Sequence, residues 1–308
     1  MEFTGTITYT FKNDYMFKAV LQKNPNALKG LLASLLHIPI NEIKDVHIEN
    51  PIVLGETIDN KTVVLDINVS LNNDQQINIE MQVISQPYWR ERSLTYICKL
   101  FNQLDVGENY ENAIKTIHIG ILDFELFPGE ELFYSQNVFM DRNTQRIYSD
   151  KLAIHVLCLK HIENATPSDK ECGLYDWAKL FAATTWEELK MLANNNDSIK
   201  EAVGTFRQLT EDQRIRIQCE ARRRNQRDWN TMQLLIDRAN KEAERQKAEA
   251  DMMKAEAEKQ KAEADKQKAE VEKQKAEVNK AQEAVRQLQQ QLAALQEKLN
   301  AMEYTTRS

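Results

Sequence analysis

VVLDINVSLNNDQQINIEMQV, residues 63–83, alternates apolar and polar positions on either side of a polar turn. In its first half Val63, Leu65, Ile67 and Val69 share one face, and Val64, Asp66 and Asn68 share the other. In its second half Ile77, Ile79, Met81 and Val83 oppose Asn78, Glu80 and Gln82. The turn, Asn72-Asn73-Asp74, is rich in residues that tolerate unusual backbone angles. The pattern predicts a β-hairpin with an acidic face.

Register decides what that face can do. A three-residue loop pairs Leu71 with Gln75 and brings Asp66 opposite Glu80. A two-residue loop at Asn73-Asp74 would set Asp66 against Met81, on the wrong face. Slipping by one residue turns a whole strand over, so the three-residue loop is predicted. Asp66 and Glu80 would then have Cβ atoms roughly 5 Å apart, with Gln82 on the diagonal. Like charges in that position destabilise a hairpin, and a divalent cation removes the penalty, because carboxylate oxygens suit Mg²⁺ and Mn²⁺. Pattern alone fits equally well an amphipathic hairpin whose polar face meets water.

Four flanking segments occur in an informative order: KNDYMFKAVL (12–21), GETIDNKTVVLDINV (55–69), RSLTYICKLFNQLDVGENY (92–110) and AIKTIHIGILDF (113–124). With Asp66 and the Glu80-x-Gln82 strand, this set resembles the Rpn-type group of the PD-(D/E)XK nuclease superfamily, the transposase-like recombination-promoting nucleases. The resemblance covers roughly the first two thirds of the chain. It implies an α/β restriction-endonuclease-like core with a mixed sheet, and a metal-dependent DNA endonuclease. It further implies Mg²⁺ or Mn²⁺ on Asp66 and Glu80, the Met81 carbonyl as a third oxygen, and Glu56 or Asp14 as a further ligand. Gln82 stands where the superfamily usually has Lys; a neutral amide can orient water but cannot act as a base. Lys61, Arg92 and Tyr96 are implied to reach phosphate or support the site. For Glu56 and Asp14 a surface or capping role is equally open, as is pairing of Arg92 with the acidic site. The competing function is a catalytically weak or inactive nuclease-fold protein that binds or scaffolds through its tail.

The 308 residues suggest two domains at most plus an extension. A net charge of −7 argues against a nucleic-acid binder, but it sums over dissimilar regions and leaves room for a local basic groove. Cys98, Cys158, Cys172 and Cys219 form no CxxC, which excludes a zinc ribbon or redox motif and fits reduced thiols in a bacterial cytoplasm. MEFTGTITYT lacks the features of a signal peptide, and no apolar run reaches membrane-spanning length. Five histidines, His118 and His155 among them, are read as core residues of apolar strands rather than ligands.

Along the chain, helices are predicted from Asn13 or Asp14 to about Leu21 and from Pro25 to before Pro39. Strands are expected at about 45–54, 114–124 and 152–159, with a turn between strands over 139–147, and a helix from Pro87 to about Val106. Short helices follow at 174–183, 186–194 and 199–209, then a long helix from Glu211 or Asp212. Arg214, Arg216, Arg222, Arg223, Arg224 and Arg227 lie on it, and read either as phosphate contacts or as a solvated face.

From Lys247 the chain repeats every seven residues, with Ala250, Ala257, Ala264, Val271, Val278, Val285, Leu292 and Leu299 in one seam slot. Met253, Gln260, Gln267, Gln274, Ala281, Leu288, Leu295 and Met302 fill the other, so the seam strengthens towards its end. A coiled-coil homo-oligomer, a dimer in the simplest case, is expected through its distal half. The organisation read from sequence is a core over 1–165, a helical subdomain over 166–235, a coiled-coil helix over 236–303 and a disordered tail over 304–308.

Overall fold

A computed structural model describes residues 3–52, 66–86, 88–102 and 109–305, with side chains through 297. Among these, one mixed sheet contains β1 (Val46–Ile48), β2 (Ile67–Leu71), β3 (Gln75–Gln82), β4 (Lys115–Leu122), β5 (Tyr134–Met140) and β6 (Ile147–Cys158). Their order is β1-β2-β3-β4-β6-β5. β3, β4 and β6 run parallel; the remaining pairs are antiparallel.

The hairpin adopts the expected register. Leu71 pairs with Gln75 and Ile67 with Ile79, so one step further Asp66 falls opposite Glu80. Asn72 and Asn73 take left-handed backbone angles, φ 53° and 59°, which Asn tolerates better than most residues. The Asn72 Oδ1 also accepts the backbone N–H groups of Lys44 and Asp45, at 2.9 and 3.1 Å. The turn is thereby stapled to the chain entering β1.

Eight α-helices are described: α1 (Asp14–Lys23), α2 (Pro25–Leu36), α3 (Trp89–Phe101), α4 (Pro167–Glu171), α5 (Leu174–Ala182), α6 (Trp186–Ala193), α7 (Asp197–Glu211) and α8 (Gln213–Thr305). Asn13 caps α1 by accepting the Met16 N–H, and Asn24 caps α2 by accepting that of Ala27. α4 was absent from the sequence reading, although Thr166 and Asp169 form the reciprocal capping box that T-x-x-D signals.

The two faces of the sheet differ in chemistry. Ile67, Val69, Ile77, Ile79, Ile117, Ile119 and Ile121 join α1, α2 and α5–α7 in one apolar core, with Trp177, Phe181 and Phe206 fully buried. The helices after Pro167 therefore share a core with the sheet. The opposite face carries Asn78, Glu80 and Gln82 on β3 beside His118 and Gly120 on β4, beneath α3. A one-residue slip of β3 would exchange these sets, forfeiting roughly 1.5–3 kcal/mol for each isoleucine exposed.

Some boundaries differ from expectation. β1 is three residues long rather than reaching residue 54, consistent with Pro51, which lacks the N–H a ladder requires. α3 ends at Phe101; the expected continuation to Val106 enters residues 103–108, outside the described set. Of the histidines, His47, His118 and His155 lie in strands, but His37 ends α2 in a left-handed conformation and His161 sits in a 3-10 segment, Leu159–Asn164. At the other sheet edge, β5 shifts register twice between Val138 and Met140, and Val138, Phe139 and Met140 are exposed. The chain divides into two compact units, Met1–Thr231 and Met232–Ser308. Among the described residues no helix is long and apolar enough to cross a membrane.

Gly120, opposite Glu80, permits α3 to sit this close, because a Cβ there would lie 2.2 Å from the Trp89 ring. Gly120→Ala is expected to cost about 1–3 kcal/mol through overpacking, read as a lower urea midpoint. Gly204→Ala, on α7 with nothing within 4 Å, is expected to stabilise by up to about 1 kcal/mol, read as a higher midpoint. An unshifted midpoint for the Gly120 variant would contradict this packing of Trp89.

Candidate active site

β3 carries Glu80 into the site, and the residue just before β2 supplies Asp66. Asp66 is 7% and Glu80 2% exposed, so the pair is buried rather than facing water. Burial, then repulsion from Asp66, pushes the Glu80 carboxyl up from 4.5 to about 7, against the pull of Arg92. Burial likewise raises Asp66 from 3.8 to about 6, opposed by Arg92, Lys18 and a hydrogen bond from Asn78. The fold thus holds two carboxyl groups whose charged forms are both disfavoured by burial.

α3 answers part of that charge. The Arg92 Nη2 lies 2.7 Å from Glu80 Oε1, its Nη1 donates to Gln86 Oε1 at 2.8 Å, and its guanidinium stacks over Tyr96. Among the described residues neither Glu80 oxygen receives a well-directed hydrogen bond, so Arg92 acts on it as an ion pair. His118 lies 3.8 Å from Glu80 Oε2 and is fully buried. Burial first, and Arg92 second, lower its pKa to about 4, so it faces Glu80 as a neutral ring.

From the opposite side of the sheet, α1 sends in Lys18. Its Nζ donates to the Asp66 carbonyl at 2.9 Å, and Asn50 donates to the same oxygen at 2.9 Å. These donors fix the backbone from which the Asp66 carboxylate projects. Burial lowers Lys18 to about 8 despite the nearby Asp66 charge. Lys12, on the approach to α1, pairs with Asp123 at 2.9 Å. The Asp123 N–H donates to the Gln82 carbonyl, and the Gln82 side-chain amide donates to the Ile84 carbonyl at 3.0 Å.

Asp66, Glu80 and Arg92 lie together, with Gln82 one strand step beyond Glu80. Tyr96 supports Arg92. Asp14 opens α1 and accepts the Tyr15 N–H; burial raises its pKa, with Arg222 opposing, and its charge reaches Asp66. Glu56 and Lys61 lie outside the described residues. Lys18, Asn50, His118 and Asp123 were not singled out for the site from sequence. Lys18 had a signal, since it ends the Lys-x-Asp-x-x-Phe-Lys run; the others depend on long-range pairing.

Among the described residues no three His, Cys, Asp or Glu side chains converge at metal-ligand spacing. The opposed pair nevertheless fits a hard divalent cation: both donors are carboxylate oxygens, burial raises both pKa values, and Asp66 raises that of Glu80 further.

Beside Gln82 opens a cleft of about 230 Å³, lined among others by Lys12, Asp14, Arg222, Asn225 and Trp229. Of the six arginines clustered between residues 214 and 227 of α8, Arg222 lines it. Arg224 and Arg227 contact Glu220 at 3.9 and 3.0 Å, and Arg214 contacts Asp212 at 3.4 Å.

Residues 11–234 match a family model described as PD-(D/E)XK nuclease family transposase. No curated protein and no solved structure matches the chain.

Both carboxyls have folded-state pKa values raised above their ordinary ones, so their contribution to stability is full below about pH 4 and is lost as pH rises through about 6 to 7. In EDTA the unfolding free energy read from urea titrations is expected to fall between pH 5 and pH 8, by on the order of 2 kcal/mol. Glu80→Gln is expected to flatten that fall, and Mg²⁺ to restore wild-type stability at pH 8. A wild-type profile unchanged by both would show that the pair carries no such strain.

Proposed function

The chain belongs to the PD-(D/E)XK nuclease family transposases, and on that premise we propose that it is a metal-dependent DNA endonuclease of the recombination-promoting type. The observation that supports this most is the buried Asp66–Glu80 pair, two opposed carboxylates with the Arg92 guanidinium against Glu80. Nucleases of this superfamily generally use divalent metals; here Asp66 and Glu80 would hold Mg²⁺ or Mn²⁺, with the Met81 carbonyl as a third oxygen and Asp14 or Glu56 as a further ligand. When bound, the cation supplies an acidified water and neutralises charge on the scissile phosphate.

The protein's own groups do the positioning. Lys18 and Asn50 hold the Asp66 backbone. Arg92 balances Glu80 and, stacked on Tyr96, stands ready to pass its charge to a phosphate oxygen. Gln82 orients water or phosphate through its amide and takes no proton. Neutral His118 and Trp89 wall the buried side against bulk water.

A second reading, a nuclease-fold scaffold without catalysis, draws support from Arg92, which already occupies Glu80, and from Gln82 in the usual lysine position. Nicking of supercoiled plasmid with Mg²⁺, Mn²⁺ or EDTA separates the two. Metal-dependent nicking abolished by Asp66→Ala and by Glu80→Ala is expected. Activity retained in both variants, or no activity with any metal, would remove the support for catalysis at this pair.

The tail supports self-association. Val271, Val278, Val285, Leu288, Leu292 and Leu295, at heptad spacing on α8, are each at least half exposed, from 50% at Val271 to 65% at Leu295. Burying such a seam against a second copy is what coiled coils do. Sedimentation equilibrium is expected to give a dimer for the wild type and a monomer when Leu288, Leu292 and Leu295 are all changed to Asn. A wild type that stays monomeric at every concentration would rule the seam out.

A further inference from the structure

The cleft beside Gln82 has a lining that the hydrolytic chemistry does not require. Arg222, Asn225, Gln226 and Trp229, spaced three, four and seven residues apart, present one face of α8 to it. The facing wall is the end of β3 and the chain after it, Gln82 to Gln86, with Lys12 and Asp14 closing one side. This places around a volume of about 230 Å³ one indole, five carboxamides, two cations and the Asp14 carboxylate. Arg222 Nη2 is buried and has no hydrogen-bond partner among the described residues. Lys12 is engaged by Asp123, whereas Arg222, though its charge acts on Asp14, keeps Nη2 open to an acceptor oxygen.

An aromatic plane, amide donors and acceptors, and an unsatisfied guanidinium together match one ligand chemistry: a nucleotide removed from its stack. The plane takes the base, the amides meet its polar edge, and the guanidinium takes a phosphate oxygen. A paired and stacked base offers neither its faces nor its pairing edge to such a cleft. Met81 and Gln82, the two residues that follow Glu80 on β3, also line the cleft. A nucleotide held there lies next in line to a phosphate at the acidic pair.

We propose that this cleft is a subsite for one unstacked nucleotide of a DNA strand, which directs the enzyme to single-stranded or locally unpaired DNA. The assignment rests on the nuclease reading above for its neighbour, but binding tests it without cleavage. Trp89, Trp177 and Trp186 are at most 8% exposed, whereas Trp229 is partly exposed and lines the cleft, so Trp229 reports directly.

The full chain in EDTA is titrated with a short oligothymidylate, with thymidine monophosphate, and with a blunt duplex of the same length. Tryptophan fluorescence and the anisotropy of labelled DNA are both read. The oligothymidylate is expected to quench Trp229. Trp229→Ala is expected to weaken its binding by roughly 5- to 100-fold, Trp229→Phe by less than about threefold, and duplex binding is expected to respond little to either. Far-UV circular dichroism checks that the variants fold, and the Phe variant keeps an aromatic plane should the Ala variant not.

Absent quenching, equal affinity of Trp229→Ala and wild type, or equal Trp229 dependence for duplex would overturn the proposal. So would thymidine monophosphate binding as tightly as the oligonucleotide, which would make the cleft a free-nucleotide pocket. A protein that binds oligothymidylate through Trp229 but nicks no plasmid retains the subsite and loses the nuclease reading. One that nicks plasmid with none of these Trp229 effects loses the subsite alone.

Discussion

Removing two like charges from water side by side is the constraint around which this fold is arranged. Asp66 and Glu80 sit on a buried sheet face because the other face of the same strands is claimed by isoleucine and valine. Strand alternation admits no compromise between the two sets. Everything near the pair then serves either to lessen the charge or to hold it still. Arg92 lessens it from α3, Lys18 and Asn50 hold it from behind, and His118 adds a polar but uncharged neighbour. Such an arrangement is poor at stabilising a fold, since an incompletely compensated buried charge costs several kcal/mol. It makes physical sense as a place where a cation binds.

The opening Lys-x-Asp-x-x-Phe-Lys run acquires a physical explanation. Lys12 ties the start of the segment to Asp123 at the end of β4. Asp14 begins α1 and sends its field to Asp66. Phe17 packs against Phe181 in the apolar core, and Lys18 donates to the Asp66 backbone. One helix therefore anchors in the core with one residue and reaches the acidic site with its neighbour.

What the sequence revealed was what local rules control. The polar turn and the alternating flanks determine the hairpin register, and the caps at Asn13 and Asn24 set the first helices. The acidic pair was readable for that reason. Its surroundings were not, because they arrive by long-range alignment. That His118 stands beside Asn78, and Gly120 beside Glu80, follows from parallel pairing across a crossover, which no local pattern encodes. In sequence the arginines of α8 read either as phosphate contacts or as a solvated face; packing alone separates Arg222, in the cleft, from neighbours that contact Glu220. Burial was the other missing quantity: a polar face under a helix and a polar face in water read alike.

The two margins of the sheet bear on colloidal behaviour. A β-sheet edge offers unpaired amides and carbonyls on which another chain can polymerise. Here one edge, β1, ends after three residues. The other, β5, displays Val138, Phe139 and Met140 to solvent, a composition that would invite cross-β growth, yet its ladder breaks register there. An incoming strand that fits one side of the break is out of step on the other. A sheet with a strand as apolar as β4 at its middle is thereby denied a straight, continuous template on which to seed aggregates.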